Sequence, residues 1–238
     1  MQYDVRFGTT RGRSRDAMHR VSTTTTTTTA TILTLLFLPI WLHAQVSCLP
    51  VFPKLNDDVT ITFDATQGNG ALTGASPVFA HMGVITNQST NPSDWKHVST
   101  TWGIADPIGA MTSAGANLWT KSFNIKTFFN IQPGETVLRL AFVFRNTDAS
   151  KVGRATDGSD IFYEVYPDNV GLQTTIITPA SGLLLTTSGS QIPVKAASSI
   201  NANLTLYDNG VQVANTTGAL LETTLTAADG VHTVELIA

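Results

Sequence analysis

The 238 residues contain a single cysteine, Cys48, so a disulfide framework within the chain and a zinc site built on cysteine pairs are both excluded. Charge is also scarce. Asp, Glu, Lys and Arg make up 13% of the chain, about half the usual ~25%. No glycine-rich phosphate loop, no GKS or GKT string and no Gly-x-Ser-x-Gly elbow occurs, which removes the common nucleotide-binding and hydrolase signatures. The histidines His81, His97 and His232 are scattered rather than spaced as metal ligands, so neither a metal nor a cofactor is expected. Threonine, serine, asparagine and glycine fill the space that charge leaves. β-Branched threonine suits the solvent face of a strand, and this composition is that of a β-rich extracellular protein.

The first 44 residues have the pattern of a secretory leader. Arg6, Arg11, Arg13, Arg15 and Arg20 give a basic start, a threonine run follows from Thr23 to Thr29, and an apolar stretch runs from Ala30 to Leu42. That stretch is shorter than the roughly 20 residues of a membrane helix, so no membrane span is expected. Met18, with Arg20 as its cation, offers a tidier start. Cleavage after Ala44 would leave Gln45 at the mature terminus and direct the chain outside the cell. Lipid attachment at Cys48 is disfavoured, because Gln45-Val46-Ser47 lacks an apolar residue three positions before the cysteine. The leader carries five of the fourteen basic residues and two of the seventeen acidic ones, so nine face fifteen in the remainder, a net of −6. An acidic surface without a basic run argues against nucleic acid and anionic membranes as partners, and suits a neutral ligand.

The rest is short apolar alternation broken by turns. Val59, Ile61 and Phe63 alternate with threonines; Val78, Ala80, Met82 and Val84 share a face; so do Leu138, Leu140, Phe142 and Phe144. A further strand is expected at Asn117 to Phe123 and a short one at Trp95 to Thr100. Met111 to Ala116 reads as a small-residue loop, and Ile125 to Ile131 as an ambiguous stretch with room for one helical turn. Pro167-Asp168-Asn169 marks a break. Beyond it, strands are expected at 174–178, 192–196, 203–207, 211–214, 220–226 and 231–237. Asp208-Asn209-Gly210 is a hairpin turn, and Thr178 to Gly182 a turn of immunoglobulin-like type. The fold class is therefore all-β: tandem immunoglobulin-like antiparallel sandwiches over 45–170 and 171–238. The second pattern stops within a strand at Ala238, so a truncated unit is expected.

No catalytic residue is assigned. Glu135 and Glu164, the glutamates of the first sandwich, read as solvated surface acids rather than a glycosidase pair. Asp157-Gly158-Ser159-Asp160 reads as a turn before it reads as a calcium loop. His81 reads as a packed or hydrogen-bonded core histidine. What remains is aromatic. Trp95, Trp102 and Trp119, with Lys96 and Lys121 beside them, are the candidate carbohydrate contacts, since flat rings take the C–H faces of sugars and neighbouring polar groups take the hydroxyls. The competing reading gives each tryptophan to the core.

Several strings in order carry a resemblance. They are Val59-Thr-Ile-Thr-Phe63, Gly68-Asn-Gly70, His81-Met-Gly-Val-Ile-Thr86, Asp94-Trp-Lys96, Trp102-Gly103, Leu140-Ala-Phe-Val-Phe-Arg-Asn146 and Asp160-Ile-Phe162. Together, over Gln45 to Tyr166, they resemble the N-terminal sandwich of secreted α-amylase-family glycoside hydrolases from Bacteroidota-type bacteria. The second unit is similar to the immunoglobulin-like linker of such proteins. The resemblance implies a non-catalytic accessory region that binds or orients starch-like α-glucans, with a catalytic barrel further along the same polypeptide as its partner. Two alternatives stay open: spacer domains without a ligand, and a surface adhesion or assembly protein.

Overall fold

A computed structural model describes residues 5–8, 45–179 and 183–238. The described chain is all-β and sandwich-like: two antiparallel sheets stack in the first unit, and the second is built on one six-stranded sheet that is antiparallel but for a single parallel pair. Apart from the four residues of β1 (Val5–Gly8), the leader expected over 1–44 lies outside the described residues, as does most of the turn expected at Thr178 to Gly182. At β1 the structure departs from the reading that nothing before Gln45 belongs to the fold. Strand β1 pairs with two strands of the second unit, described below.

The first unit holds two sheets. One is ordered β2 (Val46–Leu49), β3 (Asp58–Asp64), β6 (Leu118–Asn124), β5 (Thr112–Gly115). The other places β7 (Val137–Arg145) between β4 (Phe79–Thr86) on one edge and β8 (Val152–Gly153) and β9 (Ile161–Glu164) on the other. Alternation explains the stacking. Val59, Ile61 and Phe63 from one sheet meet Ala80, Met82, Val84, Leu140, Phe142 and Phe144 from the other in one buried cluster. Phe63 lies flat on Phe144 at 3.8 Å between ring centres. Gly153 keeps the approach open: a Cβ there would stand 2.8 Å from Leu72 and 3.1 Å from Phe63. Cys48 packs in the same core, where burial and the Asp57 charge push its thiol up to about 12. A thiol so raised is inert at neutral pH.

Four sequence expectations change in this unit. Leu138 was expected in the core but is 43% exposed. The register slips between Ile85, opposite Arg139, and Thr86, opposite Val137. This bulge reverses the phase, so Val137 enters the core instead. Trp95 to Thr100 is no strand; one isolated bridge links Lys96 to Val84, and His97 sits at φ 50°. Met111 to Ala116 is no simple loop, since Thr112–Gly115 forms β5. Glu135 is not solvated, as described below. The ambiguous stretch resolves into the single turn α1 (Ile125–Phe128), whose Asn124 cap accepts from the Thr127 N–H.

The second unit contains β10 (Thr174–Thr178), β11 (Leu183–Leu185), β12 (Gln191–Asp208), β13 (Val211–Thr226) and β14 (Val231–Ile237). Two pairs of expected strands are fused into one long hairpin, β12–β13. Its turn has φ 49° at Asn209 and φ 79° at Gly210, the left-handed pair that a two-residue hairpin requires. The hairpin's register slips twice, by one residue between Leu206 and Tyr207 and more sharply at a kink further from the turn. Ala197 opposes Leu220 and Ala202 opposes Gly218, so Ser198 to Asn201 stand against Ala219 alone. The buried Ser198 hydroxyl holds the kink by donating to the Ile200 carbonyl at 2.7 Å. Before the kink β12 pairs with β10; after it, with β14. Ile192, Val194 and Ala196 from the first arm thereby meet Leu204, Leu206, Val234 and Leu236 in a second core. Strand β1 runs antiparallel to β14 and parallel to β11, joining two strands that do not pair with each other.

Candidate functional site

The outward face of β4 and β7 is covered by a layer from the 87–110 segment, and this layer builds the site. Two glycines let it lie close. A Cβ on Gly83 would press on the Trp95 ring at 3.1 Å, and one on Gly109 would stand 2.8 Å from the Ala80 carbonyl. Trp95 thus rests where β4 has no side chain. His81, two residues away on the same face, stacks beside Trp95 at 5.8 Å and receives Trp102 edge-on at 5.2 Å. Trp102 is 45% exposed. These three rings, with Val143, Arg154 and Asp160, line a hollow of about 380 Å³, within the ~300–1,000 Å³ of small-ligand sites.

Polar contacts fix the layer. His81 Nδ1 and Thr100 Oγ1 share a hydrogen bond of 2.6 Å. Burial, and secondarily the Arg145 charge, lower the His81 pKa, so the imidazole is neutral at pH 7. Asp94, at the rim, takes Lys96 at 2.8 Å and the Thr90 N–H at 2.9 Å, which hold its carboxyl below the usual range. Arg154 pairs with Asp160 in the lining of the same hollow. His97 Nε2 stands 2.9 and 3.0 Å from the two Glu135 oxygens, and Glu135 also accepts from the Gln132 N–H. With its side chain only 8% exposed, Glu135 anchors the layer to the 132–135 turn. Its pKa is lowered, first by the His97 hydrogen bond.

Arg145 is the deepest of these anchors. At 2% exposure its guanidinium donates to the carbonyls of Asn146, Thr147 and Ile104, and sits 5.3 Å over the Phe79 ring. Ile104 is two residues beyond Trp102, so this buried cation ties the tryptophan loop to β7. Its Nε has no hydrogen-bond partner among the described residues.

Of the candidate contacts, Trp95 and Trp102 are brought together, with Lys96 behind them paired to Asp94. Trp119 and Lys121 are not. Trp119 lies in the core between the sheets, opposite Phe63. Lys121 shares that inward face. Its ammonium reaches the Ala110 carbonyl at 3.2 Å and the Phe128 ring at 5.8 Å, and burial lowers its pKa. The alternation Trp119, Lys121, Phe123 carried this information in the sequence, masked by a lysine at an inward position. His81, Arg154 and Asp160 were missed as a site. Nothing in the sequence brings residues 81 and 160 together except the pairing of β7 with β4 and β9.

Glu164 pairs with Arg139 at 2.7 Å on the same outer face. Asp157 Oδ1 accepts from the Ser159 N–H, closing the 157–160 turn on itself. Among the described residues no helix is long and apolar enough to cross a membrane. No curated protein matches the chain. Residues 47–152, which include His81, Trp95 and Trp102, are similar to a family described as a domain of unknown function (DUF8578).

Proposed function

We propose that the first sandwich is a non-catalytic carbohydrate-binding module for starch-like α-glucans, within a secreted enzyme of the α-amylase family. One observation carries the binding reading: the His81, Trp95 and Trp102 rings converge on one open hollow rimmed by the Arg154–Asp160 pair and by Asp94, which Lys96 neutralises from behind. A neutral imidazole and an exposed indole offer apolar ring faces to a pyranose. The paired ions offer donors and acceptors to its hydroxyls without excess charge. The amylase context rests on the strings that resemble that family's front-end sandwich. Affinity electrophoresis through soluble starch or glycogen tests the reading. The intact chain should be retarded, and Trp102→Ala should migrate freely while keeping its circular dichroism. Free migration of the intact chain at high polysaccharide load overturns it.

For the second unit a spacer role is the better reading. Tyr207 is the single aromatic among residues 171–238, and it is half-buried, so the unit offers no comparable ring surface.

A further inference from the structure

The hollow at the tryptophans does not stand alone. A second, of about 250 Å³, shares Ser93, Arg154 and Asp160 with it and adds Pro92, Ser159 and Phe162. A third, of about 370 Å³, shares Pro92 with the second and continues over Leu138, Arg139 and Glu164. Strand register sets this order. On β7, Val143 pairs with His81 at one end, Ala141 with Phe162 in the middle, and Arg139 with Ile85 and Glu164 at the other. Val143 to Arg139 is four residues, about 13 Å of strand, longer than one pyranose ring.

We propose that these hollows form a single groove across the outer face of β4, β7 and β9, and that it takes several consecutive units of an uncharged oligosaccharide chain. The inference rests on the carbohydrate reading above and extends it to a second contact zone at Arg139, Phe162 and Glu164. Two features support it. Aromatic rings recur along the groove, with Trp95 and Trp102 at one end and Phe162 further on. The Arg139 guanidinium lies 5.9 Å over the Phe162 ring. Charge is balanced along the whole length: Asp94 with Lys96, Asp160 with Arg154, Glu164 with Arg139. No lining ion is left unpaired to favour an acidic or basic polymer, while each pair presents hydrogen-bonding atoms to hydroxyls.

Titration calorimetry on the full chain tests this with maltotriose, maltoheptaose and polygalacturonate. Maltoheptaose should bind about tenfold or more tighter than maltotriose, and polygalacturonate no tighter than the neutral sugars. The double variant R139A/E164A removes an exposed pair that contributes little to stability. It should lose about fivefold toward maltoheptaose and leave maltotriose unchanged. Equal affinity for the two maltooligosaccharides, an indifferent double variant, or preferred binding of polygalacturonate overturns the groove and leaves carbohydrate binding standing. If no saccharide binds the folded chain, the carbohydrate reading falls and takes the groove with it.

Discussion

The two units solve the same problem with different materials. The first builds its core from large rings: Phe63, Phe142 and Phe144 stack through it, and Phe123, Phe128 and Phe129 close one end. It then adds a third layer, the 87–110 segment, pinned by Arg145, His81 and Glu135. The second unit has no such rings. Its core is aliphatic, drawn from one kinked hairpin and its neighbours, and β13 keeps one edge unpaired among the described strands. A sandwich needs only alternation and turns, which both units have. The added layer held by buried polar anchors occurs, among the described residues, in the first unit alone.

The sharpest way to break this comparison is to attack the aromatic core. Phe144→Ala should cost the first unit about 3–5 kcal/mol and leave the second untouched, giving two separated transitions by calorimetry. A single shifted transition would show that the units are not independent. A smaller effect is expected in the hairpin. Gly210→Ala places a side chain at φ 79° and should cost the second unit about 1–2 kcal/mol, read from the lower-melting or less protected half by hydrogen exchange.

Acid should act on the added layer before either core. The Glu135 and Asp94 pKa values are lowered in the folded protein, so each contributes stability above its ordinary value. That stability is lost as pH falls through the lowered one. Tryptophan emission should therefore change at a pH where far-ultraviolet dichroism is still native. Glu135→Gln should weaken that pH dependence, and an unchanged profile would count against Glu135 as an anchor. The smallest effect belongs to Leu138→Thr. Exposed beside the bulge, it should shift stability by less than about 0.5 kcal/mol, against about 2–5 kcal/mol for Leu140→Ala. Comparable losses at both would restore the uninterrupted alternation expected from the sequence.

Much of the frame was legible because strands announce themselves by a period of two. Thr174–Thr178 and Val231–Ile237 lie where alternation places them, and Asn209-Gly210 turns as that dipeptide should. Legibility failed where the period is interrupted without a local mark. No glycine or proline flags the bulge at Val137 and Leu138. The kink at Ser198 to Asn201 hides the fusion of two strands into one. The site was half visible. Trp95 and Trp102 stand out by composition, but Trp119 resembles them until Phe63 is placed opposite it. Asp160 acquires its role only from Arg154 and the β7–β9 register.

Arg145 has a consequence for anyone wishing to move this loop elsewhere. Residues 87–110 contain the two tryptophans, yet the loop's shape depends on a guanidinium supplied from β7 and on the bare backbone of Gly83 on β4. Transplanting the loop alone onto another sandwich would strand the Ile104 peptide oxygen and seat an indole upon whatever side chain replaced Gly83. The portable unit is the loop together with both strands beneath it.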